Sequence, residues 1–331
     1  MADVSIVIIT KDQEWNTTRL IESVLERTAH VAVKEIVLVD SASADQTVDI
    51  AQTYPIRILR LHANQRLTAA AGRYIGFCQT TGDYVLFLDG DMELCDGWVD
   101  RALEILAHTP DLAVITGFVI DLPKTAESND GILARYQNGT NALVELQHGG
   151  GAALYRRSVL KQVGPFNPYL YSDEEPELCL RIRQAGYRVA RIEHPIAFHF
   201  TDPRHELSAL FARRSRNLYL GFGQNIRYHL STGLVWMYLL ERRFALVPVA
   251  GILAGFVSLV VSIVTGQPGW FGLWLFLVFL TIALDAVRRG SLHRTIHSVV
   301  NRLLIIEGSI RGFTHKVLDP EDYPAQYDII Q

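Results

Sequence analysis

Ala245–Thr265 carries no charged residue and is predominantly apolar, and after the turn Gly266–Gly269 a second apolar stretch runs from Trp270 to Leu284, extending to Val287 with Asp285 near its end. Stretches of this kind have about the length that spans a bilayer's hydrocarbon core, where a helix can satisfy its own backbone. They predict a transmembrane hairpin. The apolar residues encircle both helices, whereas a helix packed on a soluble domain keeps a polar face. Arg242 and Arg243 precede the hairpin and Arg288, Arg289 and Arg294 follow it, while the turn between has no charge. By the positive-inside rule both ends face the cytoplasm, which makes the protein a two-span membrane protein with its larger part cytoplasmic.

That larger part alternates strand and helix. Val4–Ile9 is β-branched and apolar, and is too short, with no basic region before it, to read as a signal peptide. A helix follows from about Asn16 to Thr28, with Leu20, Val24 and Leu25 on one face. Glu35–Val39 is the next strand, ending at Asp40, and Ser41–Thr47 forms a polar loop in which Ser43 or Asp45 can cap a helix. Ile56–Leu61 is a strand, Ala69–Thr80 a helix and Tyr84–Leu88 a strand. Gly97–Ala107 then reads as a helix and Ala113–Phe118 as a strand, and Asp121–Gly131 is predicted to be a loop. Glu174–Gln184 is a helix with acids in its first turn, and Val189–Ile192 and Ile196–Phe200 read as two short strands. This order specifies an α/β fold with a largely parallel sheet.

The chain therefore divides into residues 1–205 as the α/β domain, 206–243 as a basic and aromatic interfacial segment, 244–289 as the hairpin, and 290–331 as a cytoplasmic helix and tail. Within the second part, Arg213, Arg214, Arg216 and Arg227 stand among Phe211, Tyr219, Phe222 and Tyr228, a mixture suited to an anionic bilayer surface. A net charge of −4 gives no reason to expect a nucleic acid partner. Cys78, Cys95 and Cys179 form no C-x-x-C pair, which speaks against a zinc site or a disulfide framework. Oligomeric state is open, and a homo-oligomer is compatible with the sequence.

Candidate chemistry sits at Asp89-Gly90-Asp91. The strand Tyr84–Leu88 ends there abruptly in charge, at the carboxyl edge where open α/β sheets bind ligands. Two aspartates separated by glycine can hold a hard divalent cation, and such a cation bridges to phosphate oxygens. A solvated acidic turn is the more ordinary explanation of an isolated D-x-D, so the rest of the chain must decide.

Five separated segments do so together: S-I-V-I-I-T (Ser5–Thr10), V-L-V-D-S-A-S-A-D-Q-T (Val37–Thr47), G-D-Y-V-L-F-L-D-G-D (Gly82–Asp91), V-G-P-F (Val163–Phe166) and E-E-P-E-L-C-L-R-I-R-Q-A-G-Y (Glu174–Tyr187). In this order and spacing the chain resembles a family-two glycosyltransferase of the GT-A fold, over roughly residues 4 to 200. The resemblance implies a Rossmann-like, mostly parallel sheet with helices on both faces, and inverting transfer of a sugar from a nucleotide diphosphate donor with Mg²⁺ or Mn²⁺. It implies that Thr10, Asp12 and Asp40 line the nucleobase pocket, that Arg73 lies near the nucleotide, and that Asp89 faces ribose and metal. Asp91 is then the direct metal ligand, and His199 completes the shell. The family's general base is the aspartate of an E-D pair. Here the pair reads Glu174-Glu175, which gives the base role to Glu175, with Asp173 as the fallback. Two other departures are Tyr74 where asparagine is usual and Arg66 where glycine is common.

The acceptor implied is membrane-embedded: a polyprenyl phosphate or a lipid-linked glycan, with Arg213 and Arg216 as candidate phosphate partners. A growing polysaccharide is the third acceptor class. Processive synthases carry more spans and a Q-x-x-R-W motif, which this sequence lacks. The alternative from another class is an inactive nucleotide-sugar-binding or scaffold protein of a polysaccharide assembly complex.

Overall fold

In the computed structural model, which describes residues 3–128, 130–133, 142–202 and 206–331, the alternation over the first ninety residues forms the centre of a sheet. β1 (Val4–Thr10), α1 (Glu14–Arg27), β2 (Val33–Asp40), α2 (Thr47–Ala51), β3 (Arg57–Leu61), α3 (Ala69–Cys78) and β4 (Tyr84–Asp89) follow in chain order. The strands lie parallel in the order β3-β2-β1-β4. Ile6 and Ile8 enter the core on one face, Val7 and Ile9 the core on the other. A strand covered on both faces needs apolar residues at successive positions, which is why β1 is buried throughout.

Beyond β4 the sheet becomes mixed. β5 (Met92–Leu94), α4 (Trp98–His108), β6 (Leu112–Leu122), α5 (Asp130–Leu133), β7 (Leu143–Glu145), β8 (Ala153–Arg156), α6 (Arg157–Val163), α7 (Glu174–Gln184) and β9 (Arg188–Phe200) complete this part. The full order is β10-β3-β2-β1-β4-β8-β6-β9-β5, with β7 on β9. β8 runs antiparallel to both β4 and β6, and β6 runs parallel to β9. The parallel expectation thus holds for the nucleus of the sheet and gives way to mixed pairing after it.

Two local expectations change. The two short strands after α7 are one strand, β9, with Pro195 inside it. The β6–β9 register shifts on either side of Phe118, and at Gly117 a side chain would run into the His194 carbonyl and the Ile196 amide. A bulge opposite a residue without Cβ accommodates the proline. Asp121 and Leu122, expected in a loop, end β6 instead; residue 129 of that stretch lies outside the described residues.

β10 (Tyr327–Ile329) comes from the far C-terminus and pairs antiparallel with β3. Residues 1–202 and 318–331 accordingly form one compact unit, and 203–317 a second. The second unit holds α8 (Leu207–Ser215), α9 (Gly221–His229), α10 (Val235–Glu241), α11 (Leu246–Thr265), α12 (Gly269–Arg289) and α13 (Leu292–Thr314). Arg243–Thr265 and Gly269–Arg289 are long and apolar enough to cross a membrane, with mean hydropathies of 2.5 and 2.1 over an 18-residue stretch of each. α11 and α12 pair through the Trp274 indole N–H, which donates to the Gly251 carbonyl at 3.1 Å, and through Ser262 Oγ, which accepts from the Phe271 amide at 2.9 Å. Much of the rest of their apolar surface is bare: Val264 is 79% and Phe279 70% exposed. Soluble proteins rarely expose so much contiguous apolar area.

Candidate active site

The carboxyl ends of β1, β2 and β4 converge. At the first two, the loop after β2 folds over Asp40, whose carboxylate is fully buried. Asp40 Oδ2 accepts from the Ser43 amide at 2.9 Å, the Ser43 hydroxyl bonds Oδ1, and Arg60 stands 3.7 Å away. Burial raises the Asp40 pKa against the lowering effect of the Ser43 bonds. Asp12, in a left-handed conformation with φ 53°, accepts from the Ala44 amide at 2.8 Å, and its own amide donates to Ser43 Oγ at 2.8 Å. Thr10 Oγ1 is buried and has no hydrogen-bond partner among the described residues. The three residues expected at the nucleobase are therefore neighbours, although Asp40 spends both oxygens on Ser43.

Arg73 lies under the centre of the site rather than on an open nucleotide surface. α3 is capped by Thr68, whose Oγ1 accepts from the Ala71 amide at 3.0 Å, and carries Arg73 inward until 2% of its side chain is exposed. One guanidinium nitrogen meets Glu174 at 2.8 Å; the other meets Asp89 at 2.7 Å and Glu175 at 3.2 Å. A planar fork with fixed donors meets the three carboxylates through separate N–H groups in a set geometry, which a lysine's single ammonium does not provide. Asp89 is nonetheless pushed up to about 6, because burial, aided by the neighbouring charge of Asp91, outweighs Arg73. Burial and the adjacent Glu175 likewise hold Glu174 above the usual carboxylate range, against Arg73. Gly151 makes the cluster sterically feasible, since a Cβ there would run into Asp89 Oδ2.

Glu174 and Glu175 open α7, whose N-cap Asp173 is left-handed at φ 59°. Their side chains are 8% and 16% exposed, so the second carboxylate is the more accessible.

Asp91 and His199 come together across the β5–β9 pairing, in which Met92 stands opposite His199 and the Phe200 amide donates to the Asp91 carbonyl at 2.8 Å. His199 Nε2 lies 3.3 Å from Asp91 Oδ2, while Asp91 Oδ1 is buried with no hydrogen-bond partner among the described residues. A buried, unsatisfied carboxylate oxygen beside an imidazole nitrogen fits a divalent cation. No group of three or more His, Cys, Asp or Glu gathers in metal-holding geometry among the described residues. Asp89, expected to face the metal as well, has Oδ1 engaged by Arg73.

Sequence reasoning missed two supporting groups. Asp121 Oδ1 is 2.7 Å from His199 Nδ1, and β6–β9 register sets the two residues opposite each other. Hydrogen bonding to Asp91, and then to Asp121, raises His199 to about 9 against the effect of burial. Asn16, fully buried on α1, donates to the Gly90 and Met92 carbonyls at 3.0 and 2.8 Å and so fixes the D-G-D turn. A polar residue on an otherwise buried helix face was the available signal for Asn16; Asp121 had none, because its pairing is non-local. Arg213 and Arg216 belong to the second unit, exposed at the end of α8, with Arg213 5.8 Å from the Tyr219 ring centroid.

Comparison with known proteins identifies the family and the fold. Residues 5–164 match the model of the family described as Glycosyl transferase family 2. The pre-mycofactocin glycosyltransferase of Mycobacterium tuberculosis is 27% identical over 228 residues, covering 64% of this chain and 45% of that protein; the chain thus spans about half the length of that relative. Among solved structures, GalNAc-T7 with UDP, GalNAc and Mn²⁺ aligns with a TM-score of 0.55 at 15% identity, over 69% of this chain and 48% of that one. S. aureus TarS 1-349 in complex with UDP-GlcNAc aligns at 0.50 and 14% identity, over 87% and 92%. At such identities the likeness is one of fold.

Proposed function

Since residues 5–164 form a family 2 glycosyltransferase domain on a GT-A fold, we propose that the chain moves one sugar from a nucleoside diphosphate sugar to a membrane-embedded acceptor, with inversion at the transferred carbon. The observation that carries this reading is the Arg73 cluster: one buried guanidinium joins Asp89, on the strand bearing the D-G-D turn, to Glu174 and Glu175 on α7. Donor-side and acceptor-side carboxylates are thereby fixed relative to each other, as an in-line displacement requires.

Thr10, Asp12 and Asp40 receive the nucleoside at the ends of β1 and β2. Asp91 and His199 would hold Mg²⁺ or Mn²⁺, which would supply positive charge against the departing diphosphate. Asp121 accepts from His199 Nδ1 and leaves Nε2 toward Asp91. Glu175 takes the proton of the attacking acceptor hydroxyl. Glu174, more buried and 2.8 Å from Arg73, keeps the guanidinium in place.

The membrane acceptor follows from the apolar helices. Residues 1–202 and 318–331 share one sheet, so both ends of the segment between them lie on the same side of any bilayer it enters. That requires an even number of spans, which α11 and α12 supply, and the flanking arginines put the shared side in the cytoplasm. Arg213 and Arg216 are the candidate contacts for a lipid phosphate.

The test is a donor panel of UDP-, GDP- and dTDP-sugars with Mn²⁺ or Mg²⁺ on detergent-purified protein, offered polyprenyl phosphate and lipid-linked glycan acceptors. Turnover of one donor that depends on an acceptor supports the reading. Binding of a donor without turnover on any acceptor contradicts it.

A further inference from the structure

The C-terminal segment, polar and irregular as a sequence, is tied to the site loops at several points. Beyond the β10–β3 ladder, the His62 amide donates to the Gln326 carbonyl at 3.1 Å, and the Gln65 side chain bonds both Gln326 backbone groups, donating at 2.5 Å and accepting at 3.1 Å. Tyr323 is 5% exposed. Its ring stands edge-on to Tyr74 and Tyr169, with centroids 6.0 and 5.5 Å away, and its hydroxyl donates to the Arg66 carbonyl at 2.6 Å.

Apart from Tyr74, which lies on α3, those contacts fall on two loops that already touch each other. The Arg66 guanidinium donates to the Tyr169 carbonyl at 2.9 Å and lies over the Tyr171 ring at 5.0 Å. Thr68 Oγ1 donates to the Pro168 carbonyl at 2.9 Å while capping α3. The first loop thus leads through Thr68 into the helix that carries Arg73, and the second leads through Asp173 to Glu174 and Glu175. A buried tyrosine that bonds one loop's backbone and packs on the other's ring sets the distance between them.

We propose that residues 318–331 are a positioning strap for the site, with Tyr323 holding the 62–68 loop against the 167–171 loop and so fixing Glu175 relative to Arg73. Tyr323 touches no reacting group; it acts through Arg66 and Tyr169. The functional part of this inference rests on Glu175 as the base, whereas the coupling of the two loops does not. Displacements of about 1 Å arising far from the chemistry can lower turnover about a hundred-fold.

The experiment compares full-length protein with Tyr323→Ala and Tyr323→Phe in detergent. It reads hydrogen exchange over residues 62–75 and 167–175, and release of UDP from UDP-GlcNAc with Mn²⁺ beside Glu175→Gln. Tyr323→Ala is expected to speed exchange in both segments together, and to lower kcat about ten-fold or more with less than a three-fold change in donor KM. Tyr323→Phe, which keeps the ring contacts and loses only the bond to Arg66, is expected to show the same pattern more weakly. Faster exchange confined to residues 318–331, or an unchanged pattern in both loops, overturns the strap. If Tyr323→Ala fails to fold, Tyr323→Phe decides by the same two segments. If Glu175→Gln turns over normally while the loops still loosen together, the base assignment fails and the strap stands.

Discussion

Replacing Arg73 with methionine removes the guanidinium paired with Asp89, Glu174 and Glu175, and leaves side chains of 32%, 8% and 16% exposure without it. Breaking a buried ion pair by deleting one partner costs about 3–5 kcal/mol, because the remaining charges stay desolvated. For a unit of 150–250 residues that lowers the melting midpoint by about 6–20 °C. The three legs are not equal. Glu174 is the most buried, so a double-mutant cycle of Arg73→Met with Glu174→Gln should give the largest coupling, near 3 kcal/mol. The cycle with Asp89→Asn should give about 1 kcal/mol, since solvent screens a third of that carboxylate. The assay is thermal unfolding of the four proteins of each cycle in detergent at pH 7. A midpoint for Arg73→Met within about 2 °C of the parent, or a coupling to Asp89 as large as that to Glu174, refutes the hub.

Gly151→Ala places a methyl against Asp89 Oδ2; it should cost about 1–3 kcal/mol in the same melting assay and reduce donor turnover, whereas Gly150→Ala, strained by its φ of 78° but with open space around it, should cost stability and spare turnover. His199 is raised from 6.5 to about 9 by Asp91 and Asp121, so its stabilising effect is complete below pH 6.5 and fades as pH rises through about 9. In EDTA, the gap in midpoint between the parent and His199→Gln should therefore shrink from pH 6.5 to 9; a gap that grows reverses the assignment. Gly266→Cys in a Cys78→Ser background should react with an impermeant maleimide added outside intact cells, and Gln331→Cys should not; equal labelling of both removes the hairpin.

The centre of the fold was legible because it is locally encoded. Successive apolar residues from Val4 to Ile9 have to be covered on both faces, and a strand ending in Asp89-Gly90-Asp91 has to present its acids at the sheet edge. The hairpin was legible for the same reason, since Ala245–Thr265 has no charge to place elsewhere. What the sequence hid is non-local. β8 is a four-residue strand following a glycine cluster, and its antiparallel place between β4 and β6 depends on partners far along the chain. Asp121 reads as the start of a polar loop until β6 pairs with β9. The motif led to the expectation of Arg73 near the nucleotide, but nothing in its neighbours showed that it would pair with Glu174, 101 residues away. The tail reads as acidic and irregular because Tyr323 and β10 acquire their meaning only against Arg66 and β3.

Donor binding and turnover by Glu175→Gln and Asp91→Ala, measured beside the parent with UDP-sugar and Mn²⁺, tests the central claim most directly. The account predicts that Glu175→Gln binds donor like the parent and loses about 10²–10⁴-fold in kcat, whereas Asp91→Ala loses Mn²⁺-dependent donor binding. Turnover by Glu175→Gln within three-fold of the parent, or Mn²⁺-dependent binding undiminished in Asp91→Ala, would contradict it.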